Sequence, residues 1–435
     1  MGWEVDVLTV EAIPDSSATP GHAGVRIHRT SSFLAANALL ALRPRLRRPE
    51  RSGDGAAAVP ESGVPALIPP GRWQRFKDTV THFLRYPDPE AGWIPFAIAR
   101  GRSIVKKDRI DVIVTSGPPH SSHLVGWALR RGTGCRWVAD FRDPWSTGQW
   151  KEPWERRGWR DRGLEWLESK VIRSADRVVL NTVRMCDDFR ARYPDMDPAR
   201  FRAIPNGFDP EEFAGLALAP RVGPFRLTHA GSLDRQRNIL VLLRAIRRLL
   251  DQGVIPVGGF ELLLIGRATL GDLSLEAGVT SLGLDGVVRH VPSLPHNETL
   301  ASLLGSDGLL VVQPGVAVTQ VPSKLYEYLY VNKPVLALAH PGATADLVRL
   351  GGLGPVADPD REDEVADALL ELYRSRGKGP SDPEARERLL ALHDVRALAR
   401  SFESLLRECV GTGEAAPSLR RGAGLEGVNP SPSKE

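Results

Sequence analysis

Two doubly wound α/β domains are what this sequence predicts, on three observations. Apolar runs of strand length alternate with amphipathic helical stretches from Asp111 to Tyr373, the pattern of parallel sheets joined by crossover helices. The alternation pauses after NGFDPEEF (206–213) and resumes at FRLTH (225–229), and a chain of 435 residues exceeds one ordinary core. All ten tryptophans stand at or before Trp166, so the two halves carry different surfaces.

The stretch VPSKLYEYLYVNKPVLALA (321–339) reads as loop, helix, stop and buried strand. Pro322 fixes the entry, Ser323 is a good N-cap, Leu325, Tyr328 and Leu329 form an apolar stripe, and Pro334 ends the helix. GLLVV (308–312) upstream is another strand, so the helix starts just past the carboxyl end of a parallel strand, where open α/β sheets bind ligands. The helix N-terminus and the Lys324 charge together suit a phosphate. Glu327, three residues on, makes an ordinary Lys324/Glu327 surface pair the competing reading.

Charged residues make up 25% of the chain and hydrophobic ones 42%, a globular composition. The net charge of +4 suits an anionic ligand or a membrane surface and gives no case for nucleic acid. Cys135, Cys186 and Cys409 are odd in number and scattered, which suggests neither a disulfide framework nor a zinc site and fits a reducing cytosol. No apolar run approaches eighteen residues, so no membrane span is expected.

In chain order, EVDVLTV (4–10) reads as a strand, the stretch from about 43 to 71 as a flexible Arg-, Gly-, Ala- and Pro-rich loop, Trp73 to Leu84 as a helix, YPDPEAGW (86–93) as a turn and Ile94 to Val105 as a helix. DVIVT (111–115) is a buried strand that runs through Gly-Pro-Pro into a helix starting near His120 or Ser121. WVAD (137–140) is the next strand. The segment from Trp145 to Ile172 sets Trp145, Trp150, Trp154, Trp159 and Trp166 among alternating charges. It is either an amphipathic helix behind a Trp-pinned loop or an interfacial surface. DRVVLN, a helix from Val183 and FRAIP follow. The second series runs strand 225–229, helix 239–252, strand 260–265, helix 275–282, strand 287–291, helix 297–304, GLLVV, the 321–339 stretch, and helices 344–350 and 362–373. Arg386 to Cys409 is a long helix, and a Gly-, Ser- and Pro-rich tail ends the chain.

SGPPHSSHLVG, VADFRDPW, IPNGFDPEEF, HAGSL and VPSKLYEYLYVNKPVLAL occur in the order and spacing of the family-four retaining glycosyltransferases. The chain resembles the bacterial branch that builds surface polysaccharides and glycolipids, over roughly residues 1 to 375. The resemblance implies a GT-B fold, two Rossmann-like doubly wound domains facing a cleft. An acceptor-side domain would span 1–212, a nucleotide-sugar-binding domain 222–382, a helix crossing back 383–410, and a disordered tail 411–435.

Carried over by position, Gly231 lies in the turn that approaches the donor phosphates, and Arg237 takes the family's usual lysine place. The family's arginine place holds Ser232 or Leu233, so Arg235 is expected to substitute. Lys324 would neutralise the diphosphate as the sugar leaves. Glu327 would bind the ribose. The family's first glutamate is Thr319 here, so the sugar contact is expected to be remodelled through Thr319 and backbone groups of 315–319. His120 matches the histidine near the transferred sugar, with a capped surface residue as the alternative. His120 and His123 are spaced like metal ligands without a carboxylate or cysteine in the motif. Asp143 follows its strand into a loop where it orients the acceptor hydroxyl or joins an Arg142/Asp143 network. Asp195 and Asp197 read as turn chemistry, and no metal or other cofactor is expected.

The expected reaction is retaining transfer from a UDP- or GDP-sugar to a hydroxyl of a lipid-linked or growing glycan, by front-face substitution. The expected setting is cytoplasmic, peripheral at the inner face of the membrane. A non-catalytic nucleotide- or glycan-binding protein and a sugar-nucleotide epimerase are the alternatives. The resembled family begins with a buried strand, a Gly-rich loop and a helix ahead of a segment like GWEVDVLTV, which here starts at residue 2. That first strand and helix are expected to be missing, through a start codon placed too far downstream or, second, a truncated gene. About five buried residues at ~1.5 to 3 kcal/mol each would then be lost. The chain is accordingly not expected to fold robustly, and residues 4 to 10 should form a strand beside a weakly packed groove.

Overall fold

The computed structural model describes residues 2–11, 24–33, 86–147, 158–216, 223–271, 273–376 and 378–411. The loop expected at 43–71, the helix expected at 73–84, Trp150, Trp154 and the tail beyond Gly411 lie outside these residues. The chain divides into two compact units, Met1–Ala139 with Gly163–Ala175, and Asp140–Arg162 with Asp176–Glu435.

In the first unit, β1 (Val5–Val10) pairs in parallel with β2 (Val25–Thr30), and the two make a sheet of their own. Neither strand has a buried residue. Asp6 joins them from the side, accepting from Arg26 at 2.9 and 2.7 Å and lying 2.7 Å from His28. The Arg26 hydrogen bonds hold its carboxyl down at about 2. Helix α1 (Ile94–Lys107) lies over β1 and α2 (Ser121–Thr133) over β3 (Val112–Gly117), which neighbours β4 (Arg136–Phe141). Ala97 of α1 and Val125 and Leu129 of α2 form a small apolar cluster that gathers Leu8 of β1 and Ile113 of β3. α3 (Trp159–Ser174) begins in the second unit and ends in the first.

The second unit contains β5 (Arg177–Leu180), α4 (Val183–Arg192) and β6 (Phe201–Ala203), with β5 and β6 parallel. Its main body is a six-stranded sheet of order β11-β8-β7-β12-β13-β14. The strands are β7 (Phe225–Ala230), β8 (Phe260–Ile265), β11 (Val288–Val291), β12 (Gly308–Val312), β13 (Val335–Leu338) and β14 (Val356–Ala357), with a short hairpin of β9 (Thr269–Leu270) and β10 (Leu273–Ser274) beside it. All its neighbouring strands pair in parallel. Helices α5 (Leu240–Asp251) and α10 (Glu362–Arg374) cover one face with the cluster around Phe225, Leu227, Ile246 and Leu369. α7 (His296–Leu304), α8 (Ser323–Val331) and α9 (Ala343–Leu350) cover the other around Leu263, Leu309, Leu325 and Leu329. α6 (Leu275–Ser281) follows the hairpin. Burial on both faces is why β12 and β13 read as unbroken apolar runs.

The single helix expected from Arg386 to Cys409 is two, α11 (Pro383–His393) and α12 (Val395–Val410). Asp394 breaks it. The Phe208 N–H donates to the His393 carbonyl, the Val395 N–H donates to the Phe208 carbonyl, each at 3.0 Å, and the Asp394 carboxylate caps α12 by accepting from the Arg396 N–H at 2.7 Å. α12 also packs on residues 202–211, through Arg202 to Glu408 at 2.9 Å and Arg396 to Glu211 at 2.5 Å.

Candidate active site

The strand order places β7 between β8 and β12. The chain therefore reverses direction of travel across the sheet at the carboxyl ends of β7 and β12, the switch point where such sheets bind ligands. Gly231 leaves β7 there and α8 follows β12. One hydrogen bond ties the two: the buried Tyr328 hydroxyl accepts from the Ala230 N–H at 3.0 Å. Burial pushes the Tyr328 phenol well up, so it stays neutral. Gly231 has φ +153°, and a β-carbon there would lie 3.3 Å from His229 Nε2, so the turn requires glycine. Its N–H is already used, donating to Ile265 at 2.9 Å.

His229 forms the floor of this turn. Its Nδ1 lies 2.9 Å from the Leu310 carbonyl, which fixes Nδ1 as the protonated nitrogen, and burial lowers the imidazole to about 4. Arg237 sits in the β7–α5 connection, bonded at 3.3 Å to Asp234, and its charge acts on both His229 and Asp143. Arg235 is exposed in the same connection.

Lys324, in the first turn of α8, donates to both carboxylate oxygens of Glu327, at 2.8 and 2.9 Å. The expected N-cap, Ser323, is instead the first helical residue, and Pro322 holds the cap position without a side-chain bond.

The loop ahead of α8 is held by its carbonyls. Gln313 Nε2 donates to Ala317 at 2.6 Å and Gln320 at 3.2 Å, the Ala343 N–H to Val318 at 2.7 Å, and the Thr182 hydroxyl to Thr319. Thr344 adds a bond to Gln320 at 3.0 Å. The Ala317, Val318 and Thr319 carbonyls thus already accept hydrogen bonds. Among the described residues the Val318 and Thr319 N–H groups have no partner, and Thr319 is half-exposed.

Asp143 accepts from Gln320 Nε2. Burial raises its carboxyl while the Arg142 and Arg237 charges oppose the shift. An Arg142/Asp143 network is not what forms. Arg142 donates to Asp140 at 3.2 Å, the Ile204 carbonyl at 3.1 Å, Asn181 at 3.0 Å and Asn206, which ties the FRDPW and NGFD segments together.

In the first unit, His120 is the N-cap position of α2 without capping it. Asp88, in the turn YPDPEAGW, supplies the cap: its Oδ2 accepts from the Ser121 N–H at 2.6 Å. Sequence reasoning passed over Asp88, whose only signal was an acid in a turn, far in sequence from the helix it caps. Burial lowers His120 to about 4 and His123 well below its usual value. His123 Nδ1 and Trp137 Nε1 both lie 2.9 Å from Thr115 Oγ1. A β-carbon at Gly117 would meet His123 at 2.7 Å and His120 at 2.9 Å, so the glycine of SGPPH lets both rings pack on the turn. His120 is therefore an inward-packed ring and not a surface cap.

Asp197 caps a 3-10 turn by accepting from the Ala199 N–H at 2.9 Å. Among the described residues, His340, Asp358 and Asp360 are the group whose atoms lie within 4.8 Å. The two carboxylates stand 3.4 Å from opposite ring nitrogens. No described helix is long and apolar enough to cross a membrane.

Residues 61–212 match the family described as Glycosyltransferase Family 4 and residues 224–375 the one described as Glycosyl transferases group 1. The chain is 31% identical over 253 residues to D-inositol 3-phosphate glycosyltransferase 1 of Catenulispora acidiphila, covering 52% of this chain and 59% of that one. The match thus spans about three fifths of that relative. Among solved structures, sucrose-phosphate synthase from Thermosynechococcus elongatus matches with TM-score 0.60 and 19% identity over 95% of this chain and 90% of that one. A UDP-forming trehalose-phosphate synthase from Burkholderia xenovorans, in complex with glucose-6-phosphate, matches with TM-score 0.56 and 16% identity over 93% and 100%. These likenesses show the GT-B fold, and the family matches over 61–212 and 224–375 show that the chain belongs to the family-four glycosyltransferases.

Proposed function

We propose that this protein transfers a sugar, with retention, from a UDP- or GDP-sugar to a hydroxyl of a lipid-linked or growing glycan in surface-polysaccharide assembly. The observation that carries the reading is the Ala230–Tyr328 bond, which brings the Gly231 turn and the Lys324 end of α8 to one switch point. The turn, with Arg237 and Arg235, takes the diphosphate. Lys324 offsets the charge that builds on the leaving oxygen, and Glu327 takes the ribose hydroxyls. Thr319 and the loop N–H groups beside it take the sugar, and His120 matches, by its place in the motif, the family's histidine near the transferred sugar. Asp143 orients the acceptor. In the transfer the acceptor oxygen bonds to the anomeric carbon, the carbon–phosphate oxygen bond breaks on the same face, and the acceptor proton passes to a donor phosphate oxygen. None of these steps calls for a metal. The UDP of a solved Anabaena HepE complex (TM-score 0.54, 17% identity) supports a nucleotide as ligand. The setting proposed is cytoplasmic, at the inner face of the membrane.

Thr319 in place of a glutamate favours one competing reading, a non-catalytic nucleotide-binding protein. Incubating the purified chain with a panel of UDP- and GDP-sugars and measuring sugar release and transfer separates them. Turnover of one donor supports the transferase, whereas nucleotide binding without turnover of any donor supports the alternative.

A further inference from the structure

Helix α3 is amphipathic in an unusual sense. Its inward side buries Leu164, Val171 and Ile172 together with two of its acids, Asp161 at 7% and Glu168 at 1% exposure. Its exposed positions are Trp159, Arg162, Glu165, Trp166, Lys170 and Arg173. Steps of three, four and seven residues put Trp159, Arg162, Trp166, Lys170 and Arg173 along one stripe. Sequestering Asp161 and Glu168 leaves that stripe cationic, with Glu165 the one exposed acid of the helix. Trp159 is 67% exposed and Trp166 54%. Side chains of that size are seldom left so open. Cations lie over both rings, Arg160 at 5.9 Å from Trp159 and Lys170 at 5.6 Å from Trp166.

We propose that this face of α3 docks on an anionic lipid bilayer. Indole rings favour the boundary between headgroups and acyl chains, long cationic side chains extend from the same stripe toward phosphates, and a helix lying in the interface needs both kinds of contact. The charge of the face selects the occupant: zwitterionic lipid offers it no net attraction, and an acidic leaflet does. None of the donor-site residues belongs to this face, which holds the protein where a lipid-linked acceptor is presented.

Flotation of the full chain with vesicles of phosphatidylcholine, with and without phosphatidylglycerol, tests the proposal. Binding is expected on the acidic vesicles alone and should weaken as salt rises. Lys170→Gln/Arg173→Gln should lower the partition roughly 25-fold, about fivefold per cation, and Trp159→Ala/Trp166→Ala should lower it on the same vesicles while nucleotide binding is unchanged. Equal binding by the variants overturns the proposal. So does full competition by soluble glycerophosphoglycerol, which would mark a phosphate site, and so does binding that needs self-association, read by sedimentation of the chain without vesicles.

Discussion

Lys324 and Glu327 hold each other through two hydrogen bonds from one ammonium to both carboxylate oxygens, 2.8 and 2.9 Å long, with the side chains 29% and 13% exposed. As a bare helix pair this contributes only about 0.2 to 0.5 kcal/mol. Its value is in posture. Glu327 fixes an otherwise mobile lysine at the helix N-terminus, where the lysine charge and the helix dipole act on the same point.

If Lys324 stabilises the departing diphosphate, Lys324→Ala lowers kcat by roughly 100-fold or more. Stability should change little, since the pair is weak. Steady-state kinetics with the preferred donor, beside a thermal melt, measure both. An unchanged kcat would sink the role and leave the surface pair.

Asp88 gives a stability prediction. Its carboxylate accepts from the first helical N–H of α2 at 2.6 Å in a buried place that pushes its pKa up. Asp88→Ala removes a cap and an anion from a helix N-terminus, at a cost of about 1 to 2 kcal/mol. Asp88→Asn, which keeps an acceptor, should cost less. Urea unfolding of the three proteins gives the order, and equal midpoints would show that the cap is not needed.

Much of the second unit was legible because its strands are buried on both faces, so apolar runs such as FELLLI and GLLVV mark them without ambiguity. The Lys324/Glu327 relation follows from helix spacing. What could not be read depended on contacts between distant segments. The Asp143 partner is Gln320, 177 residues away. The break at Asp394 exists because Phe208 pairs with the backbone on either side of it. β2 was passed over because VRIHRT is held by the hydrogen bonds of Arg26 and His28 to Asp6 and not by apolar burial.

Buried histidines set the acid side of the stability profile. His229 and His120 are lowered to about 4 and His123 well below its usual value, each chiefly by burial. An unfolded histidine takes its proton near pH 6.5. Between about pH 6.5 and 4 the unfolded chain therefore binds more protons than the native one, and stability falls as pH falls, by up to about 1.4 kcal/mol per unit per histidine. The raised carboxyls of Asp88 and Asp143 act in the opposite sense at the lower end of this window. Melting temperature should decline from pH 7 to pH 5. His229→Gln, which keeps a donor for the Leu310 carbonyl, should flatten the slope. A melting temperature constant over that range contradicts the assignment.

The least secure part of the described fold is the β1–β2 sheet. Parallel strands are ordinarily covered on both faces, and a two-stranded sheet is marginal by itself. Here Val5, Val7 and Val10 are 42%, 38% and 43% exposed and Ile27 is 38% exposed. The attachment runs through Leu8, packed beside α1 and α2, and through Trp93, whose Nε1 donates to Thr30 Oγ1 at 2.8 Å. By contrast β7, β8 and β12 are covered on both sides and joined in one ladder. Local opening should follow this difference in burial. In native-state hydrogen exchange, the amides of Val5–Val10 and Val25–Thr30 should exchange at least ~100-fold faster than those of Phe260–Ile265, a gap of about 2.7 kcal/mol in opening free energy. Leu8→Ala, which removes an apolar contact between β1 and the helices, should widen that gap without touching the β8 amides. Protection of β1 equal to that of β8 would mean that the exposed valines are covered in solution by something packed against this sheet.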